Sequence, residues 1–191
     1  MQHLQKTVLV AMTLLASASL LAQKQDEAEQ KRIEAEMCAQ TKCQRNLRVT
    51  LKDKDGATFD RTFKVFPAVV QPFGFVVVAG QTVYVEATVV DGQLTNLVAV
   101  EAASDPGKTI TAKFEQFDGK RMMLTVSNPF PKLLKFNMGI MPLDKEELYK
   151  TSSCPVIPGG QAVEMWPYPI FQVVLSNGRL LQESDTVACV E

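Results

Sequence analysis

The stretch that decides the fold is Thr82-Val-Tyr-Val-Glu-Ala-Thr-Val-Val-Asp-Gly-Gln-Leu-Thr-Asn-Leu-Val-Ala-Val100. Val83, Val85, Ala87 and Val89 alternate with Tyr84, Glu86 and Thr88. Period two means a strand with one face buried and one wet. Asp91-Gly92 follows, a pair that tolerates the positive φ of a tight hairpin turn. The segment therefore predicts a hairpin over 82–90 and 93–102.

The same grammar recurs on both sides. Leu47, Val49 and Leu51 alternate with charged or polar residues before Asp55-Gly56, and Phe59, Phe63 and Val65 continue the pattern after it. Ile110, Ala112 and Phe114 precede Asp118-Gly119, with Met122, Leu124 and Val126 beyond. Phe171, Val173 and Leu175 precede Asn177-Gly178. These runs predict hairpins at 46–52/57–66, 109–117/120–127 and 170–176/179–183, with further strands at 73–79 and 133–141. Leu143 to Lys150 is expected to form a short helical turn, because Asp144 and Glu147 have capping-box spacing. Many short strands joined by such turns, with prolines falling between them, predict an all-β antiparallel sandwich of immunoglobulin-like outline behind a short N-terminal helix. A small β-barrel is the alternative.

The beginning of the chain reads differently. Residues 1–22 have the character of a secretory signal: Lys6, an apolar run from Thr7 to Leu15, small residues from Ala16 to Ser19, and Ala22 as the expected cleavage point. That run is shorter than the ~20 apolar residues of a spanning helix, so no membrane span is expected after cleavage. The expected location is periplasmic or secreted. Residues 23–44 read as a charged helical lead-in carrying Cys38 and Cys43, in which Glu27 and Lys31, and Glu29 and Arg32, have helix-pairing spacing. Residues 45–191 read as one β-sandwich domain.

Four cysteines, Cys38, Cys43, Cys154 and Cys189, fit structural disulfides in an exported chain. Three pairings are open; nearest-neighbour pairing favours Cys38–Cys43 and Cys154–Cys189. There is no Cys-x-x-Cys and no neighbouring histidine to activate a thiol.

Composition narrows the function. With 20 basic and 21 acidic side chains the chain is nearly neutral, lacking the basic excess that follows a phosphate backbone, and no nucleic-acid partner is expected. The single histidine, His3, falls within the signal. A serine or cysteine nucleophile would then lack its usual base, and neither Ser-x-x-Lys nor Gly-x-Ser-x-Gly occurs. No catalytic residue is assigned and the protein is read as non-enzymatic. Glu164, beside Trp166 and Tyr168, is the one acid in a sugar-site-like setting, and a solvated loop acid is its simpler reading. Asp53-Lys-Asp55-Gly56 lacks the ligand pattern of a calcium loop and reads as a hairpin turn. Met122, Met123, Met138, Met141 and Met165 could offer thioethers to Cu(I), though core packing explains them more simply. No metal site or cofactor is expected.

One surface motif stands out. Met165-Trp-Pro-Tyr-Pro-Ile-Phe171 holds the only tryptophan and two prolines two apart, which favours an extended, ladder-free backbone. Met165, Trp166, Tyr168 and, in the lesser copy Pro129-Phe130-Pro131, Phe130 are the candidate contact residues, although a simpler reading has Trp166 and Phe171 plugging one end of the sandwich while Tyr168 covers an edge. The functional expectation is a binding domain contacting an unidentified protein or envelope component through loops and edges. The alternative is a carrier holding a small apolar ligand in a sandwich or barrel cavity.

Overall fold

The computed structural model describes residues 28–39, 41–185 and 187–189. The expected signal and its cleavage site lie outside the described residues. The chain divides between Lys42 and Cys43 into two units. In the first, α1 spans 28–37. Arg32 holds Glu29 at 2.6 Å and Glu36 at 2.8 Å, one turn away in each direction, so the expected Glu29–Arg32 pair forms.

The second unit is antiparallel β throughout. A two-stranded sheet, β1 (Gln44–Lys52) and β2 (Thr58–Phe66), lies over a ten-stranded one. The latter contains β3 (Val70–Gln71), β4 (Gly74–Val78), β5 (Thr82–Val90), β6 (Gln93–Val100), β7 (Thr109–Phe117), β8 (Arg121–Ser127), β9 (Leu134–Pro142), β10 (Tyr149–Thr151), β11 (Gln161–Trp166) and β12 (Ile170–Leu180). Its main path runs β10-β9-β12-β6-β5-β7-β8-β11, with β4 also on β12 and β3 on β4. The antiparallel sandwich read from the sequence is the fold observed. Because eight of the ten strands follow one continuous path, with β3 and β4 branching from it, the immunoglobulin likeness stops at this two-layer outline.

The inward faces are those the alternation marks. Val49 and Leu51 of β1, Val83, Val85 and Ala87 of β5, Ile110, Ala112 and Phe114 of β7, and Met122, Leu124 and Val126 of β8 are all buried in one core. β4 is buried along its whole length, as an apolar strand covered on both faces must be. Among the described residues the upper hairpin has no ladder to the larger sheet and is held by side chains. Phe59, Phe63 and Phe66 pack edge-on around Phe171, with centroids 5.6–6.3 Å away. Gln116 clamps the end of β1: its Oε1 accepts from the Lys52 N–H at 2.7 Å and its Nε2 donates to the Lys52 carbonyl at 2.8 Å.

The Asp55-Gly56, Asp91-Gly92 and Asp118-Gly119 turns close hairpins within a few residues of the expected limits, with Asp91, Asp118 and all three glycines at positive φ. Asn177-Gly178 does not. β12 runs straight through it, and the pair sits where the β9–β12 register shifts between Ser176 and Arg179. Asn177 takes φ 50°, and a Cβ on Gly178 would come within 2.7 Å of Leu94 and Phe136. The positive φ is used, but in a bulge that turns β12 from β4 toward β6. The expected helical turn at 143–150 is also absent. A β-turn closed by the Lys145 N–H on the Pro142 carbonyl at 3.1 Å leads instead into β10.

The barrel alternative fails at a seam. Among the described residues no ladder joins β10 to β11. The sheet curls until these edges face each other across two side-chain bonds: Trp166 Nε1 to Thr151 Oγ1 at 3.3 Å, and the Cys154 N–H to Glu164 Oε1 at 2.7 Å.

Candidate functional site

The prolines of the Trp-Pro-Tyr-Pro motif act at this seam. β11 pairs with β8 as far as Trp166 opposite Met122. Pro167 and Pro169 then remove two backbone donors, so the chain cannot continue as a strand alongside β10. The seam is drawn together near Thr151 and left open beyond it. There lies a cleft of about 800 Å³, within the ~300–1,000 Å³ of small-ligand pockets.

Four segments build it. The tip of the β1–β2 hairpin forms one wall with Asp53, Lys54, Asp55, Thr58 and Phe59. Asp53 Oδ1 accepts from the N–H groups of Asp55 at 2.9 Å and Ala57 at 2.8 Å, an arrangement that fixes the hairpin turn. Ile140 and Pro142 of β9 supply the floor, and the Leu143–Lys145 turn one end. Tyr168 and Pro169 close the side toward β12, while all three residues of β10 form the remaining wall. Lys54 reaches Asp144 at 4.0 Å, spanning two walls of the mouth. Tyr149 and Tyr168 remain 42% and 41% exposed, two flat amphipathic rings at the rim of an apolar floor.

The contact residues read from the sequence do not form one surface. Trp166 is 7% exposed; its register with Met122 turns it inward, where its ring meets Phe114 edge-on at 6.2 Å. Phe130 is also 7% exposed. Asn128 directs it inward by accepting from the Phe130 N–H while donating to the Lys132 and Val156 carbonyls. Both belong to the core and not to a contact surface. Tyr168 reaches the cleft. Met165, exposed, lies opposite Met123 on the outer face of β11 and β8, away from it. Tyr149 was not singled out by any sequence signal, although it is one of only three tyrosines.

Other candidates resolve into structural roles. Glu164 is the acceptor that holds the Cys154 N–H. Met122 and Met138 are buried in the core. Among the described residues no group of three His, Cys, Asp or Glu side chains is placed to hold a metal. Cys154 is bonded to Cys189, as nearest-neighbour pairing expects, and Cys38 and Cys43 are disulfide-bonded as well. Lys135, buried beneath this clasp, donates from Nζ to the Ser153 and Ala188 carbonyls, and burial, reinforced by Arg179, pushes its ammonium below the ordinary lysine range. Disulfide and lysine together bind the segment around Ala188 to β9 and its neighbours. Among the described residues no helix is long and apolar enough to cross a membrane.

No protein-family model, no curated protein and no solved structure matches this chain.

Proposed function

We propose that this protein is a non-enzymatic binding domain working outside the cytoplasm, and that it takes its partner in the cleft at the open end of the β10–β11 seam. The observation that carries this reading is the cleft itself: an apolar floor of Ile140 and Pro142 with Phe59 in the adjoining wall, exposed tyrosines on two sides, and charges of both signs along the lining. Rigid aromatics at a rim add contact area with little ordering cost. Four disulfide-bonded cysteines support an oxidising compartment.

A photoreactive residue in place of Tyr168 should give a discrete adduct in cells, and the same residue in place of Val98, exposed on β6, should not. Equal labelling at both sites, or none at Tyr168, refutes the cleft as the contact site. The apolar floor also favours the second reading, a carrier of a small apolar ligand. Native mass spectrometry of the gently isolated protein separates the two, because a carrier retains added mass that unfolding releases.

A further inference from the structure

Alternate residues of one strand share a face, so a cavity lying over a sheet touches i and i+2. The cleft meets β9 in that way, through Ile140 and Pro142. It meets β10 differently: Tyr149, Lys150 and Thr151 all line it. Three consecutive residues can border one cavity only where the cavity wraps the strand's edge. β10 is terminal in the sheet path, with its other edge paired to β9 from Tyr149↔Ile140 to Thr151↔Met138. The edge reached by the cleft is therefore the one not paired to β9, open at Tyr149 and Lys150 and faced at Thr151 by Trp166 Nε1.

From this we infer that the ligand is an extended peptide segment of a partner protein, which adds to the free edge of β10 as a further strand. The inference rests on the cleft reading above and specifies what fills it. Main-chain bonds to β10 would supply affinity and the two pleat faces the selectivity. On the Tyr149 face the incoming side chains meet Ile140 and the tyrosine rings, so they are apolar. On the opposite face they meet Lys150, which makes no ion pair among the described residues. An Asp or Glu opposite it completes a cross-strand charge pair. The favoured ligand thus reads apolar–acidic–apolar. A lysine on a short edge ordinarily deters pairing; beside an apolar floor it admits strands that bring a carboxylate to it.

The test is an array of random octapeptides probed with the oxidised full-length protein. Retained peptides should share the apolar–acidic–apolar pattern. Lys150→Glu should weaken them by about tenfold and shift selection toward Lys or Arg at the central position. N-methylation of the backbone should abolish binding at alternate residues only, those whose N–H faces β10. Dodecanoate serves as a competing probe, with nuclear magnetic resonance shifts at Tyr168 as the readout. If dodecanoate fills the cleft and no peptide is retained, the strand-addition inference falls while the cleft reading stands. It falls equally if Lys150→Glu leaves selection unchanged or N-methylation is tolerated throughout. If peptides bind but Tyr149→Ala and Tyr168→Ala together leave affinity intact, they bind elsewhere, and both readings fall.

Discussion

Gly74→Ala offers the sharpest test of how β4 is seated. Gly74 opens β4 at φ 151°, opposite Ser176 of β12, and a Cβ there would stand 2.1 Å from the Leu175 carbonyl oxygen. The obstacle is backbone, so no rotamer change relieves it. Restoring ordinary contact requires β4 to retreat from β12 by about 1 Å or more, enough to break the adjacent ladder bonds. Each broken bond leaves a buried polar group costing about 1–3 kcal/mol, and Phe75, fully buried against Phe136 at 5.6 Å, shifts with it. The sum is about 3–5 kcal/mol, a large share of a domain's typical ~5–15 kcal/mol. Gly119→Ala is the control. Its φ of 71° is a left-handed value that alanine adopts at modest cost, and nothing lies within 4 Å of the added carbon, leaving only conformational strain of about 1–2 kcal/mol. Urea denaturation of both variants measures the difference. A Gly74→Ala loss no greater than that of Gly119→Ala would refute the close approach of β4 to β12.

Trp166→Ala should cost about 3–5 kcal/mol by emptying a core site, whereas Met165→Ala, at 46% exposure, should change stability by no more than about 0.5 kcal/mol; thermal melts of the pair decide between core and surface. Replacing Cys154 and Cys189 together by serine opens a loop of separation 35 and should cost about 4 kcal/mol in the loop-entropy account, read by denaturant midpoint under non-reducing conditions. Arg48 grips Asp60 through two bonds of 2.9 and 2.6 Å, holding its carboxyl below the usual 3.8. Since a depressed carboxyl contributes stability above its unfolded value and loses it as pH falls through the folded one, Asp60→Asn should be less stable than the parent at neutral pH. That gap should close only below pH 3.8; a carboxyl titrating at or above 3.8 by nuclear magnetic resonance would contradict the grip.

The local features were legible and the assembled ones were not. Asp91-Gly92 between Val89 and Leu94 states both a turn geometry and two strand faces, and the hairpin follows. Asn177-Gly178 makes the same dihedral demand, yet whether it closes a hairpin or bends one long strand is decided by Leu94 and Phe136 crowding Gly178, neighbours distant in sequence. β11 is masked by the prolines that follow it, which leave Trp166 open to both a core and a surface reading. Its burial is set by register with β8, and register is a long-range property. The cleft joins segments near residues 54, 142, 150 and 168. No spacing rule links them, and Tyr149 has no sequence mark beyond its type. Export is a separate matter, resting on residues 1–22 as a sequence pattern and on the bonded cysteines.

The β1–β2 hairpin keeps every one of its ladder bonds to itself. Lifting it breaks no strand pairing in the larger sheet, but it severs the phenylalanine cluster and the Gln116 clamp and draws Val49 and Leu51 out of the shared core. Cooperative units of this kind open below the global unfolding free energy. Two tiers of solvent protection are the expected outcome in hydrogen exchange: amides of β1 and β2 should exchange together and early, and those of β7, β8 and β12 should wait for complete denaturation. Because the same hairpin tip walls the cleft, any molecule gripping Asp53 to Phe59 and the tyrosines at once would pull the early tier toward the late one.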